Sequence, residues 1–486
     1  MYPDALKHCK DLRTLELGCS VAHDLSWLSR LPSVEELCVV VYNDDDLKLP
    51  ALPNLKRLNI GGIGVMALGA KSLDTNKLAD ILPDAPSLVA LDITIRGHLR
   101  SSAFIRKYPR LEHLSIDCEY ISDGFNVSDV PAGLKSMKLR VTILNMSGFA
   151  AKLFGRKLTS VEDLDLELPM DKFDCTWIKE YRKLKRLRIW SFTDMSNASE
   201  LGGASELSQL DFGVIARDDK QLEDLVREIS LLDRLRILKY NGMALSGTAM
   251  ATLLANTHAG YLDVRRIGSD TCDYSGFTNK HVTRLRLESS TTLCSEKMGW
   301  LNCFTQLRAA ELACTSRTIA SLVRNSPNLS QLKLSWWGVS GDAPTSDDMS
   351  LIHLDGLSFE ILDIDYAPLQ MIESVKVNQF VKGIRCANLS FRLYGEFAGY
   401  SFLSAFRGGK VCELCVGQGR DSLIGVESLS QVEVLQCVGA DGSDLQVLVL
   451  LPRNCMISVR MKAGAPVRAI EELGQKRPDL LVFSYR

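Results

Sequence analysis

The spacing L-x-x-L-x-L, with other aliphatic residues standing in for leucine, recurs along the whole chain and leaves few ways to fold it. Clear copies begin at 12 (LRTLEL), 55 (LKRLNI), 88 (LVALDI), 111 (LEHLSI), 161 (VEDLDL), 184 (LKRLRI), 207 (LSQLDF), 282 (VTRLRL), 329 (LSQLKL), 411 (VCELCV) and 432 (VEVLQC). Looser copies begin at 34, 134, 235, 259, 307, 359, 386, 456 and 480. About 20 copies with a mean spacing of roughly 25 residues mark a repeat array.

Alternating apolar positions within a copy predict a short strand with one face buried. Between copies, apolar residues three or four apart predict helices. KQLEDLVREISLL offers Leu222, Leu225, Val226 and Ile229, and SRTIASLVRNSPNL offers Ile319, Leu322 and Val323. Proline in LPNL, APSL, YPRL, SPNL and RPDL lacks the N–H of a continuing helix, so each is expected to stop a helix and start the next strand. Strand, loop and helix stacked in this way predict an α/β solenoid with a parallel sheet. It is expected as one domain over 1–486, with longer repeats near 59–87 and 335–358.

The stretches HCKDLRTLELGC (8–19) and NSPNLSQLKLSWW (325–337) resemble ribonuclease-inhibitor-like leucine-rich repeats, most closely the cysteine-containing repeats of F-box substrate receptors. That resemblance implies a horseshoe with a concave parallel sheet that binds a protein. It further implies presentation of a captured substrate to a ubiquitin ligase, through a Skp1-type adaptor held by a segment outside this sequence. A general adaptor outside the ubiquitin system and a GTPase-activating protein of the same repeat class stand as alternatives.

The acids of VEDLDLEL (161–168) and the bases of LKRLRIW (184–190) look at first like catalytic lines. The motif's phase gives them another meaning. Its outward position between the last two apolar residues reads Lys138, Asp165, Arg188, Asp211, Lys239, Asp263, Arg286, Glu311, Lys333 and Asp363, alternating in sign throughout. Parallel rungs lie about 4.8 Å apart, so neighbouring charges should neutralise one another. A self-compensated surface steers charged ligands poorly. With a net charge of −2, it argues against nucleic acid as a partner.

Other chemistry is poorly supported. Gly62-Ile-Gly64-Val-Met-Ala67 matches a dinucleotide fingerprint, but a solenoid lacks the doubly wound sheet it needs; Ala70 between Gly69 and Lys71 spoils the P-loop match. Cys412 and Cys415 are three apart on a strand and face opposite sides. The run Asn43-Asp-Asp-Asp46 lacks spaced calcium ligands, and the seven histidines are scattered. No catalytic residue, cofactor or metal is expected.

The amino terminus has no apolar signal region and no apolar run spans a membrane, while the 14 cysteines sit mostly beside strand residues. These features predict a reduced cytoplasmic or nuclear protein. Its partner is expected on the concave face near Arg186, Trp190, Tyr261, Arg284 and Trp336, because Trp, Tyr and Arg dominate interface energetics. Trp27, Trp177 and Trp300, on helix-like segments, are expected in the core. The first motif begins at Leu12, close behind Met1, so an upstream segment, a covering partner or a frayed first rung is expected there.

Overall fold

A computed structural model describes residues 6, 9–19, 25–41, 48–63, 78–121, 125–144, 158–214, 219–265, 278–288, 303–312, 326–337, 358–367, 385–393, 410–416, 432–440, 449–450, 456–461, 467–477 and 481–483. Its contacts fall into two compact units, Met1–Met243 and Ala244–Arg486. The segments around Gly62–Ala67 and Asn43–Asp46, the longer repeat near 335–358 and the helix expected over 316–325 lie wholly or largely outside the described residues, as does the stretch 64–77 of the longer repeat near 59–87.

In the first unit the strands are β1 (Thr14–Cys19), β2 (Glu36–Val41), β3 (Arg57–Ile63), β4 (Ala90–Leu99), β5 (His113–Ile121), β6 (Ser136–Leu144), β7 (Asp163–Asp174), β8 (Arg186–Ser196), β9 (Gln209–Val214) and β10 (Ile237–Tyr240). Each begins at the third position of a motif copy and pairs in parallel with the next. The motif's apolar positions form continuous buried rows, for example Leu58, Leu91, Leu114, Met137, Leu164, Leu187, Leu210 and Leu238. Parallel strands with no hairpin between them need a crossover each time, and the rest of each repeat supplies it.

That crossover departs from the helical expectation. Among the described residues of the first unit, five return legs are short 3-10 turns, Ser26–Arg30, Ala103–Lys107, Val127–Asp129, Cys175–Glu180 and Ala198–Gly203, and Leu78–Ile81 is a single α-helical turn. The physical reason is chain length. In the repeat that runs from Asp163 to Arg186, β7 alone takes 12 residues and leaves too little chain for a compact α-helix. The 3-10 form covers more distance per residue. From Gln209 to Ile237 the repeat is longer and β9 shorter, and there a true helix forms, α1 (Asp219–Ser230). Leu222, Leu225, Val226 and Ile229 are its buried face, as their spacing predicted.

Proline also acts differently from the expectation. Leu55, Leu88 and Leu111 each donate N–H to a carbonyl one turn back, on Leu52, Ala85 and Tyr108. Pro53, Pro86 and Pro109 sit second in these tight turns, where a fixed φ suits them. They set the corner that aims each strand; Pro109 also follows directly on the 3-10 turn Ala103–Lys107 and its C-cap Tyr108.

Several strands carry one extra residue just past the motif: β3 between Ile60 and Ile63, β4 between Ile95 and His98, β7 between Glu167 and Met170, and β8 between Ile189 and Phe192. In the β4 bulge Gly97 takes φ of 140°, a conformation that L side chains resist.

The second unit holds β11 (Tyr261–Arg265), β12 (Arg284–Glu288), β13 (Ala309–Leu312), β14 (Gln331–Trp337), β15 (Ser358–Ala367), β16 (Arg385–Leu393), β17 (Lys410–Val416), β18 (Val432–Ala440), β19 (Met456–Met461) and β20 (Leu481–Phe483). These also pair in parallel, each with the next. Helix α2 (Gly247–Asn256) is capped by Ser246, whose side chain accepts from the Ala249 N–H. Among the described residues, no helix is long and apolar enough to cross a membrane.

The cores contain whole aromatic rings: Tyr108, Phe173, Tyr181, Phe212 and Tyr240 in the first unit, Phe304 in the second. Trp27 and Trp177 are half-buried rather than core. Trp177 packs edge-on between Phe173 and Tyr181, at 5.4 and 5.2 Å. Trp300 lies outside the described residues.

Cys118, Cys175 and Cys303 are buried, and burial pushes all three thiols up, Cys118 and Cys303 to about 12. The thiolate is the nucleophile, so these three should resist a maleimide near neutral pH in the folded protein and react in guanidinium. Peptide mapping that finds Cys118 labelled as fast as exposed Cys9 would contradict this.

Candidate functional site

The open face of each sheet carries the motif's outward positions. In the first unit the register places Lys138 beside Asp165, Asp165 beside Arg188, Arg188 beside Asp211 and Asp211 beside Lys239. Arg188 reaches both neighbours, at 3.1 Å to Asp165 and 3.8 Å to Asp211. In the second unit Asp263, Arg286, Glu311, Lys333 and Asp363 follow one another in the same way. Glu311 there pairs with Arg286 at 3.5 Å and Lys333 at 3.3 Å. The alternation read from the motif is therefore a ladder of ion pairs in each unit.

The motif's other outward positions repeat the device. Just ahead of the strands, Lys135 pairs with Glu112 and Lys185 with Glu162, each at 2.7 Å. Beyond the ladder row, Arg140 lies between Asp117 (3.8 Å) and Glu167 (3.2 Å). Hydrogen bonding by Lys185 holds the Glu162 carboxyl below its usual range. Asp163 goes the other way: burial raises it despite its hydrogen bond from Arg186. Such pairs, largely exposed, stabilise little because water screens them, so they serve chiefly to neutralise the face.

The candidate contact residues are placed as follows. Arg186 bonds Asp163 on the neighbouring strand. Trp190 is half-buried and held on two sides. The Arg188 guanidinium lies 4.4 Å from its ring centre, and its indole Nε1 donates to Asp211 Oδ1 at 3.2 Å. Beside the indole, Gly213 is required by the backbone: a Cβ there would sit at ordinary contact distance from the ring, 3.9 Å, but only 2.5 Å from the Asn241 carbonyl.

In the second unit Tyr261 and Arg284 are register partners, the guanidinium 5.0 Å from the ring centre. Burial, then Asp263, raises the Tyr261 hydroxyl, so it stays a neutral hydrogen-bonding group. The Trp336 backbone pairs with Tyr366, and its side chain lies outside the described residues, as do those of Cys412 and Cys415.

One region escaped the sequence reading. Over β1–β6 the outward positions carry small or short side chains, Cys38, Asn59, Ala90, Ser115 and Ser136, and they leave a hollow of about 490 Å³. Acids Glu16, Glu36 and Asp92 and bases Arg57 and Lys138 ring it. The signal was present in the motif's outward positions: Cys38, Asn59 and Ser115 stand in the ladder row, and Ala90 and Ser136 two residues before it. A smaller hollow of about 160 Å³ in the second unit has Ala309 and Ala310 in its lining, beside Arg284 and Gln331. Among the described residues, no group of three or more His, Cys, Asp or Glu stands together as a metal cluster.

No protein-family model and no curated protein matches the sequence. Among solved structures, an internalin of Listeria monocytogenes str. 4b F2365 is similar at 15% identity and a TM-score of 0.39, over 68% of this chain and 88% of that one. A leucine-rich-repeat protein of Leptospira interrogans is similar at 15% identity and 0.38, over 99% and 98%. TLR13, in complex with ssRNA13, is similar at 13% identity and 0.44, over 99% and 79%. The fold itself rests on this chain's own registers, in which each described strand falls on a motif copy and successive strands within each unit pair in parallel: the protein is a leucine-rich-repeat solenoid.

Proposed function

We propose that the chain is a non-catalytic scaffold that binds a protein partner on the open face of its sheets. The observation that carries this reading is the state of Trp190. Charges around it neutralise one another, while the indole is pre-ordered by Arg188 and Asp211 and still half-exposed. A rigid aromatic with a polar edge gives contact area at little entropic cost, and such residues are interface anchors. The first unit's hollow would receive protruding side chains of the partner, and Tyr261 with Arg284 would form the contact in the second unit. The finer reading is a substrate receptor of an F-box-type ubiquitin ligase, in the cytoplasm or nucleus, supported by the resemblance of the stretches at 8–19 and 325–337 to the repeats of such receptors.

Affinity capture with the wild-type chain, followed by mass spectrometry and titration of the recovered partner, tests the proposal. Trp190→Ala and Arg284→Ala are each expected to weaken binding by about 2 kcal/mol, the hot-spot threshold, with the fold intact by circular dichroism. Losses under about 0.5 kcal/mol in both would place the interface elsewhere. Co-purification of ligase subunits would favour the receptor reading over a general adaptor.

A further inference from the structure

His258 and His281 belong to successive repeats, and the fold of the second unit brings their rings together. Their centroids are 4.6 Å apart, with the planes tilted by 40°. Each immediately precedes the first apolar residue of a motif copy, Ala259 and Val282, so one repeat sets one above the other. Both side chains are exposed.

Their backbones are held by a single buried amide. Asn279, 2% exposed, donates from Nδ2 to the carbonyls of Leu254 (2.8 Å) and Thr257 (3.1 Å), on the segment leading to His258. Its Oδ1 accepts from the N–H groups of His281 (2.8 Å) and Val282 (3.0 Å). Thr257 is tied in turn to α2, its N–H donating to the Leu253 carbonyl at 3.0 Å. The two imidazoles therefore project from fixed points, which lowers the entropy lost when both take hold of one ligand.

We propose that His258 and His281 form a two-imidazole site for a divalent transition-metal ion of tetragonal preference, Cu(II) foremost and Ni(II) next. Imidazole nitrogen sits about 2.0–2.1 Å from such an ion, and the ring centre about 1.1 Å behind it, or about 3.2 Å from the metal. Two ring centres at that distance from one ion and 4.6 Å apart subtend about 92°. This is the cis angle of a tetragonal site, whereas structural zinc asks for about 109°. Water fills the remaining positions. Among divalent first-row ions, Cu(II) also binds nitrogen ligands most tightly.

The test is a Cu(II) titration of the full chain, with exposed thiols first blocked by iodoacetamide, read by calorimetry and electron paramagnetic resonance. One equivalent is expected to bind with the hyperfine signature of two equatorial nitrogens, more tightly than Ni(II) or Zn(II). His258→Gln and His281→Gln should each lower that affinity about tenfold or more and remove the two-nitrogen signature. His113→Gln, on the first unit's open face, should change neither. Circular dichroism checks that each variant is folded, which exposed positions favour. Unchanged affinity in either His258→Gln or His281→Gln, or a wild-type spectrum without two equatorial nitrogens, would overturn the site.

Discussion

Truncation of Phe212 to alanine is expected to lower the opening free energy of β8–β10 by about 3–5 kcal/mol, the usual cost of deleting a buried aromatic. Phe212 is 1% exposed and meets Tyr240 edge-on, with centroids 5.0 Å apart. It also follows Ile189 in the buried row formed by the β8–β9 register. Removing it leaves a void between rungs whose backbones cannot close up, because their separation is fixed by the ladder of hydrogen bonds. Tyr240 loses a neighbour, and its hydroxyl, which donates to the Met243 carbonyl at 2.6 Å, loses the packing that orients it. Native-state hydrogen exchange is the suitable measurement, since a repeat array need not unfold as one cooperative unit. A loss below about 1 kcal/mol at the amides of Leu210 and Leu238 would contradict the packing described.

Reversing the charge at Arg188 is the second large effect expected. In Arg188→Asp, two attractive contacts, to Asp165 and Asp211, become two repulsive ones. With each attraction or repulsion at about 0.2–1 kcal/mol, the change sums to about 1–4 kcal/mol. Arg188→Ala should lose only the attractive half, together with the guanidinium over Trp190. The gap between the two variants should shrink at high salt (about 1 M), where the screening length falls to about 3 Å. Equal melting temperatures for the alanine and aspartate variants at low salt would show that the ladder is geometrically present but energetically silent.

The ladder was legible before the structure because it needs only two facts, the phase of the motif and the alternation of side chains along a strand. The strand starts of both units were legible for the same reason. Burial fixes which residues face inward, and a parallel stack fixes which outward residues are neighbours. The return legs were not legible. Their apolar spacing suits a helix, but the chain left over after a long strand such as β7 or β8 decides the matter, and strand ends carry a weak signal. The site was only half legible for a similar reason. That Trp190 points outward follows from the motif, but its lean onto the next rung does not. That lean depends on the Arg188 guanidinium over the ring and on Asp211 accepting the indole N–H. The contact of His258 with His281 likewise depends on where Asn279 pins two loops, which no residue spacing announces.

The unbroken succession of parallel pairs has a kinetic meaning. In the first unit, register partners on successive strands are one repeat apart in sequence, whether the repeat is short (Glu36 to Arg57) or long (Arg57 to Ala90). No described pairing in that unit joins strands that are not consecutive. Folding rates fall as contacts become more distant along the chain, which is why sheets made of remote strands form slowly. Here each new rung closes a loop of about one repeat onto a rung already in place, so growth proceeds like a zipper from whichever rung nucleates first. The β7–β8 pair is well suited to nucleate, with its long strands, short return leg and ion pairs already complementary between one rung and the next.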